Sequence, residues 1–258
     1  MSTRHRALLA TLAFCASGSA WAGLPAFCER GKEISAADQD RVLRFAGIVK
    51  RELVQSGERV ALVSRAGTDL SRFGLLYSHA GIALKDNPAI PWAVRQLYYA
   101  CDESRPRLFD QGVAGFALGA DAPGRGHMSL VFLPEAEGAL LETTALDKPF
   151  ALSLLAGRYS ANAYAFGTRY QNCNQWVAEM LAAAWSGQPG IDATGGSEDL
   201  RAQAQRWLME QGYQPITVRQ LLDGLASGQL PPRPVVLTFD DGFADFAANA
   251  WPLLTDRG

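Results

Sequence analysis

Cys173 lies in the stretch YQNCNQWVAEML, residues 170 to 181, directly before an apolar run at helical spacing. Val177, Met180, Leu181 and Ala184 follow it at i+4, i+7, i+8 and i+11, which is one face of a helix beginning at the cysteine. Asn172 suits the N-cap. A thiol in the first turn of a helix feels the helix dipole and the N–H groups there, an environment that favours the thiolate. The same N–H groups can stabilise the oxyanion of a tetrahedral intermediate. A nucleophilic thiol needs a base, and beyond residue 22 the chain offers only His79 and His127. His79 opens SHAGIAL, a strand pattern in which His79, Gly81 and Ala83 share one face, small enough to admit a helix end or a substrate beside the imidazole. His127 ends a Gly-rich loop, and His79 is the better base. Taken singly, Cys173 equally suits a packed helix thiol, and His79 a satisfied, partly buried histidine.

The compartment decides what the other cysteines do. Residues 1 to 22 read as a cleaved secretory signal, with Arg4, His5 and Arg6, an apolar run from Ala7 to about Ala16, then Ala20-Trp21-Ala22. The run is too short for a stable membrane span, so the expected location is periplasmic or secreted. Export removes Cys15 and leaves Cys28, Cys101 and Cys173, an odd number where pairs oxidise. A disulfide between Cys28 and Cys101 is expected, tying an N-terminal arm to a core strand and leaving Cys173 free. The formal charge of −2 becomes −4 once Arg4 and Arg6 leave, a balance with no electrostatic case for nucleic acid. With 48% hydrophobic and 19% charged residues the chain is ordinary globular protein.

Several elements must position these groups. Ser35 with Asp38 reads as a helix start, and Val42, Phe45, Val49 and Leu53 recur at helical spacing until Gly57. RVALVSRAG (59 to 67), YSHAGIAL (77 to 84), PWAVRQLYYAC (91 to 101) and MSLVFL (128 to 133) read as strands. Together with the helix from Cys173 they describe an α+β domain.

The segments RAGTDLSRFGLLYSHAGIAL, WAVRQLYYAC and YSANAYAFGTRYQNCNQWVAEML resemble a bacterial family known as domain of unknown function 2145. More distantly, the order of a strand histidine, a polar residue on the next strand, then Asn-Cys opening a helix resembles the permuted papain-like (NlpC-type) fold. That fold includes permuted NlpC-type envelope peptidases and lecithin retinol acyltransferase, whose Asn-Cys-Glu-His-Phe-Val motif is similar to residues 172 to 177 here. The resemblance covers roughly residues 25 to 205. It implies Cys173 as nucleophile, His79 as base and a polar third residue on the following strand. Arg95 and Gln96 are the candidates there. Gln96 can accept the imidazole N–H, whereas Arg95 only donates and would oppose an imidazolium, so Gln96 is the expected third member. Asn174 and Gln175 depart from the acyltransferase motif at its Glu and His.

The C-terminal segment carries a different motif. Residues 211 to 258 run as helix, Pro-rich turn, a strand from Pro234 to Phe239, then Asp240-Asp241-Gly242 and another helix. They resemble the opening of NodB-type polysaccharide deacetylases, which implies Asp240 as general base and Asp241 as a metal ligand. Only 16 residues follow Gly242 and no histidine follows His127. A deacetylase barrel needs on the order of 150 to 200 residues, and one carboxylate cannot hold a catalytic metal. The expectation is therefore a truncated, incomplete β/α barrel opening, with no cofactor or metal unless the barrel were complete. The expected organisation is a signal over 1–22, a permuted papain-like domain over 23–205 and the deacetylase-like segment over 206–258.

Two classes of function follow. One is an exported hydrolase of amide or ester bonds in an envelope peptide, acylated molecule or glycan, its rival being a deacetylase fragment inactive alone. The other is an envelope binding module that keeps the fold without the chemistry. Removing residues 211 to 258 is expected to leave the preceding domain folded; a large fall in melting temperature would show that the segment belongs to the core.

Overall fold

The structure is a computed structural model and describes residues 34–67, 76–119, 127–161, 163, 167–187, 196–216 and 218–236. Helix α1 (Ala36–Gln55) starts where Ser35 accepts the Asp38 N–H through its side chain and stops before Gly57, whose φ of 79° only glycine adopts readily. The sheet follows: β1 (Val60–Arg65), β2 (His79–Leu84), β3 (Ala93–Ala100), β4 (Arg105–Gln111) and β5 (Met128–Phe132). It is antiparallel throughout, in the order β4-β3-β2-β1-β5. Four strands lie where the apolar runs place them. β4 is unexpected, because RPRLFDQ lacks alternation and contains Pro106; an edge position tolerates both.

Helices cover both faces of the sheet. α1 and the short α2 (Val113–Leu118) pack on one, where Val49 and Leu53 meet Ala61, Val63, Ala83, Val94 and Phe116. The opposite face, with Val60, Ile82, Leu84 and Leu97, is covered by α3 (Glu135–Leu146), α4 (Lys148–Ser153), α5 (Cys173–Trp185) and α6 (Ser197–Glu210). Alternating strand residues thus feed two separate cores, as the two-residue period requires. The α+β class holds. A small parallel pair follows, β6 (Gln214–Ile216) with β7 (Pro234–Val236), joined through α7 (Val218–Ser227). The strand expected over Pro234 to Phe239 is described as far as Val236.

α5 is apolar on its sheet side but carries a buried acid. Glu179, 1% exposed, accepts from Arg201 Nε at 2.9 Å and Nη2 at 3.0 Å, from Gln205 Nε2 at 2.7 Å and from Gln171 Nε2 at 2.6 Å. Burial pushes its carboxyl up, against the pull of Arg201 and the two amides. Arg201 is itself fully buried and donates onward to the carbonyls of Gly167, Thr168 and Tyr170. A second buried pair, Arg95 with Asp110, joins β3 to β4 through two 2.8 Å hydrogen bonds, and Arg95 also reaches the Ala145 carbonyl at the end of α3. Burial opposes ionisation of Asp110, yet its hydrogen bonds to Arg95 and Asn87 hold it below the usual carboxylate range.

Glu179→Ala should cost about 3–5 kcal/mol in urea unfolding, because it strands the Arg201 guanidinium in the core. Glu179→Leu combined with Arg201→Met should recover only part of that loss: no buried charge is then left unpaired, but the Gly167, Thr168 and Tyr170 carbonyls and the Gln171 and Gln205 amides lose a partner.

Candidate functional site

The loop before α5 determines where the thiol sits. Gln171 is fully buried: its Oε1 accepts the Ala156 N–H at 2.9 Å and its Nε2 donates to the Leu154 carbonyl at 2.9 Å as well as to Glu179. Asn172 then caps the helix, accepting the Gln175 N–H on Oδ1 at 2.9 Å and donating to the Ala161 carbonyl. The Trp176 N–H goes to the Asn172 carbonyl.

Cys173 is fully buried and not disulfide-bonded. Its Sγ lies 4.0 Å from the Ser78 carbonyl oxygen and 3.7 Å from Asn174 Oδ1, and Asn174 Nδ2 donates to the same Ser78 carbonyl at 3.4 Å. The thiol thus rests against the peptide unit that joins Ser78 to His79. Asn174 stands where the acyltransferase motif has Glu, and here it ties the helix start to the entry of β2. Cys101, just after β3, is disulfide-bonded, with its partner outside the described residues; Cys28, Asp240 and Asp241 also lie outside them.

His79 begins β2 and Gln96 lies on β3, with His79 Nε2 and Gln96 Oε1 hydrogen-bonded. The backbone makes this pairing diagonal. Ile82 pairs with Arg95, which sets Gly81 opposite Gln96 and His79 one pleat further along the same face. A Cβ on Gly81 would stand 2.6 Å from Val94 Cγ1 and 3.2 Å from Gln96 Cβ. The room that Gly81 leaves is therefore filled by β3 side chains. The expectation that a helix end or substrate would use that small-residue face does not hold: α2 closes it with Phe116, whose ring centroid is 5.7 Å from that of His79, and Tyr98 meets the imidazole edge-on at 5.6 Å. Arg95 points to the other face, where Asp110 and Ala145 hold it, as strand alternation requires.

α5 packs on the Ile82 and Leu84 side of the sheet, strand alternation puts His79 on the Ala83 side, and the Cys173 sulfur rests at the Ser78 carbonyl, one residue before His79. Arg65, opposite His79 in the β1–β2 register and buried, stacks its guanidinium over Phe116 at 5.3 Å. Burial, then the Arg65 charge, lower the His79 pKa to about 3, against a smaller opposing pull from Gln96. The ring is neutral at physiological pH, so no imidazolium is present to hold a thiolate by charge. Arg65 was not singled out in the sequence, where its only signal is Gly67 two residues on; in the fold its guanidinium lies where Cβ atoms added to Gly67 and to Gly119, the C-cap of α2, would meet it at 3.5 and 2.5 Å.

The chain belongs to the family described as "Uncharacterized protein conserved in bacteria (DUF2145)", whose model matches residues 52–235. Two curated proteins, the poly-beta-1,6-N-acetyl-D-glucosamine N-deacetylases of Escherichia coli (strain K12) and of Escherichia coli O157:H7, are each 45% identical over 49 residues, or 19% of this chain. The chain covers 7% of the length of those proteins. No solved structure matches.

Because the folded His79 pKa lies below its unfolded value near 6.5, the native state binds fewer protons than the unfolded chain between the two. Stability is complete above pH 6.5 and falls as pH drops toward 3, by about 1.4 kcal/mol per pH unit from this group. Urea unfolding of the wild type and His79→Gln at pH 7.5, 6 and 5 should show the difference between them shrinking or reversing with acid.

Proposed function

We propose that this DUF2145 member is an exported thiol hydrolase acting on amide or ester bonds of an envelope peptide or acylated substrate. The observation that carries the reading is the row of Cys173 at a capped helix start, the Ser78–His79 peptide against its sulfur, and the His79–Gln96 hydrogen bond beyond it. That order of groups suits a permuted papain-like, NlpC-type site. The disulfide at Cys101 supports an oxidising, periplasmic or secreted location, in line with the leader pattern of residues 1 to 22. Among the described residues no helix is long and apolar enough to cross a membrane.

In this mechanism the Cys173 S–H proton passes to His79 Nδ1, since Nε2 is engaged by Gln96. The sulfur attacks the substrate carbonyl, and the oxyanion is met by N–H groups at the helix start. The imidazolium so formed protonates the leaving amine or alcohol as the C–N or C–O bond breaks, leaving a thioester. Water then adds to the thioester, giving its proton to His79, and the thiol is restored as the acid leaves. The transfer needs a change from the resting arrangement, because burial suppresses the basicity of His79. Substrate that replaces Phe116 or Tyr98 contacts and lets water reach the ring would raise that basicity.

The same burial favours a second reading, an envelope binding module that keeps the fold without turnover. The partial deacetylase similarity supports a third and narrower one: the Asp240-Asp241-Gly242 segment as part of a carbohydrate-active unit. Neither supplies a use for the Cys173 helix start.

Iodoacetamide alkylation of Cys173, followed by mass spectrometry from pH 5 to 10, separates the first two readings. The hydrolase reading expects slower alkylation at pH 7 in His79→Ala, which removes the neutral ring that accepts the thiol proton, and an unchanged rate in His127→Ala. A rate indifferent to His79 across the pH range would leave the binding module standing.

A further inference from the structure

Gln96 makes a second hydrogen bond, on the side away from His79. Its Nε2 donates to Gln111 Oε1 at 2.5 Å, across to the end of β4. The β3–β4 register pairs Gln96 with Phe109 and Val94 with Gln111, so Gln96 and Gln111 are diagonal neighbours on one face. His79, Gln96 and Gln111 therefore form a polar row across β2, β3 and β4, on the face that α2 closes. The row has a direction. A carboxamide offers an acceptor at one end and a donor at the other, and the imidazole reads whichever end it meets. With an oxygen at residue 111 holding the Gln96 NH2, the Gln96 carbonyl is turned toward His79 Nε2, and a ring nitrogen facing a carbonyl oxygen must carry the proton. Nδ1 then keeps the lone pair.

The opposite polarity is equally well bonded within the row. If Gln111 presented its NH2, the Gln96 carbonyl would turn toward residue 111 and its NH2 toward the imidazole, forcing the Nδ1–H tautomer. Gln96 is only 2% exposed, so water has little access to rescue a mismatched end. The choice is thus made at Gln111, the exposed end of the row. The same segment also sets the ring's packing: Gly112 caps α2, and Phe116, five residues after Gln111, lies against the imidazole.

We propose that Gln111 is a positioning residue which, through Gln96, fixes His79 as the Nε2–H tautomer and keeps Nδ1 as the nitrogen that accepts the thiol proton. The assignment of Nδ1 as acceptor rests on the hydrolase reading; the tautomer itself does not.

The test compares full-length wild type, Gln111→Glu and Gln111→Lys by nitrogen-15 NMR, reading which His79 ring nitrogen carries the proton. Glutamate only accepts, so Gln111→Glu should retain Nε2–H. Lysine only donates, so Gln111→Lys should move the proton to Nδ1 and slow Cys173 alkylation at pH 7 about tenfold, the scale of a supporting hydrogen-bond partner. Residue 111 is exposed at a strand end, and backbone spectra report that the variants are folded. An Nε2–H tautomer in all three proteins would overturn the proposal, as would a wild type with the proton on Nδ1. A tautomer that switches in Gln111→Lys while Cys173 stays unreactive throughout would support the role of Gln111 and sink the hydrolase reading instead.

Discussion

The Glu179 carboxylate, fully desolvated inside α5, is the constraint on which the rest of this structure depends. A buried carboxylate requires partners, and these partners come from α6 and from the loop that enters α5. Arg201 and Gln205 bring α6 alongside, Gln171 fixes the residue two before Cys173, and Arg201 takes the carbonyls of Gly167, Thr168 and Tyr170. Those carbonyls belong to an irregular, half-buried segment outside the helices and strands. The guanidinium stands in for the missing backbone donors. The place where the Asn172 cap and the Cys173 thiol come to rest is therefore decided by an ion pair one to two turns along the helix.

The sheet supplies the second frame. Two independent cores on its faces mean that each strand residue belongs to one side only, and this separates the roles of neighbours in sequence. Arg95 and Gln96 are adjacent, yet Arg95 locks β4 and α3 on one side while Gln96 holds the imidazole on the other. His79 and Ser78 divide the same way: the Ser78 carbonyl receives the α5 start, and the His79 ring lies under α2. Burial beneath Phe116 and beside Arg65 is what keeps the ring neutral. Its hydrogen bond to Gln96 holds the ring in place while its surroundings keep it uncharged.

Much of this was legible locally. The Ser35 and Asn172 caps, four of the five main strands and the helix from Cys173 follow from period and capping chemistry, which act over a few residues. β4 escaped because Arg105-Pro106-Arg107 has no strand pattern, and it exists only because β3 offers it an edge. The helices α2, α3, α4 and α6 were not anticipated: α2 and α4 are six residues each, too short for a periodic pattern, and the apolar residues of α3 and α6 are interrupted by acids or glutamines. In the sequence Glu179 is a single acid within an otherwise mostly apolar helix. Only Arg201, 22 residues later, makes it a core residue.

By itself the sequence determined the residue types able to do chemistry, the strand that carries His79 and the helix that Cys173 opens, because each is a consequence of nearest-neighbour periodicity. It also determined that Gln96 rather than Arg95 could accept from an imidazole, since that depends on the atoms of one side chain. Tertiary structure decided which face of β2 each group occupies, that α2 rather than α5 covers the imidazole, and that Gln111 sets the direction of the amide row. Those are outcomes of strand register and helix packing. Register and packing are fixed by long-range burial and by the pairing of buried charges, and no local stretch of the chain contains either.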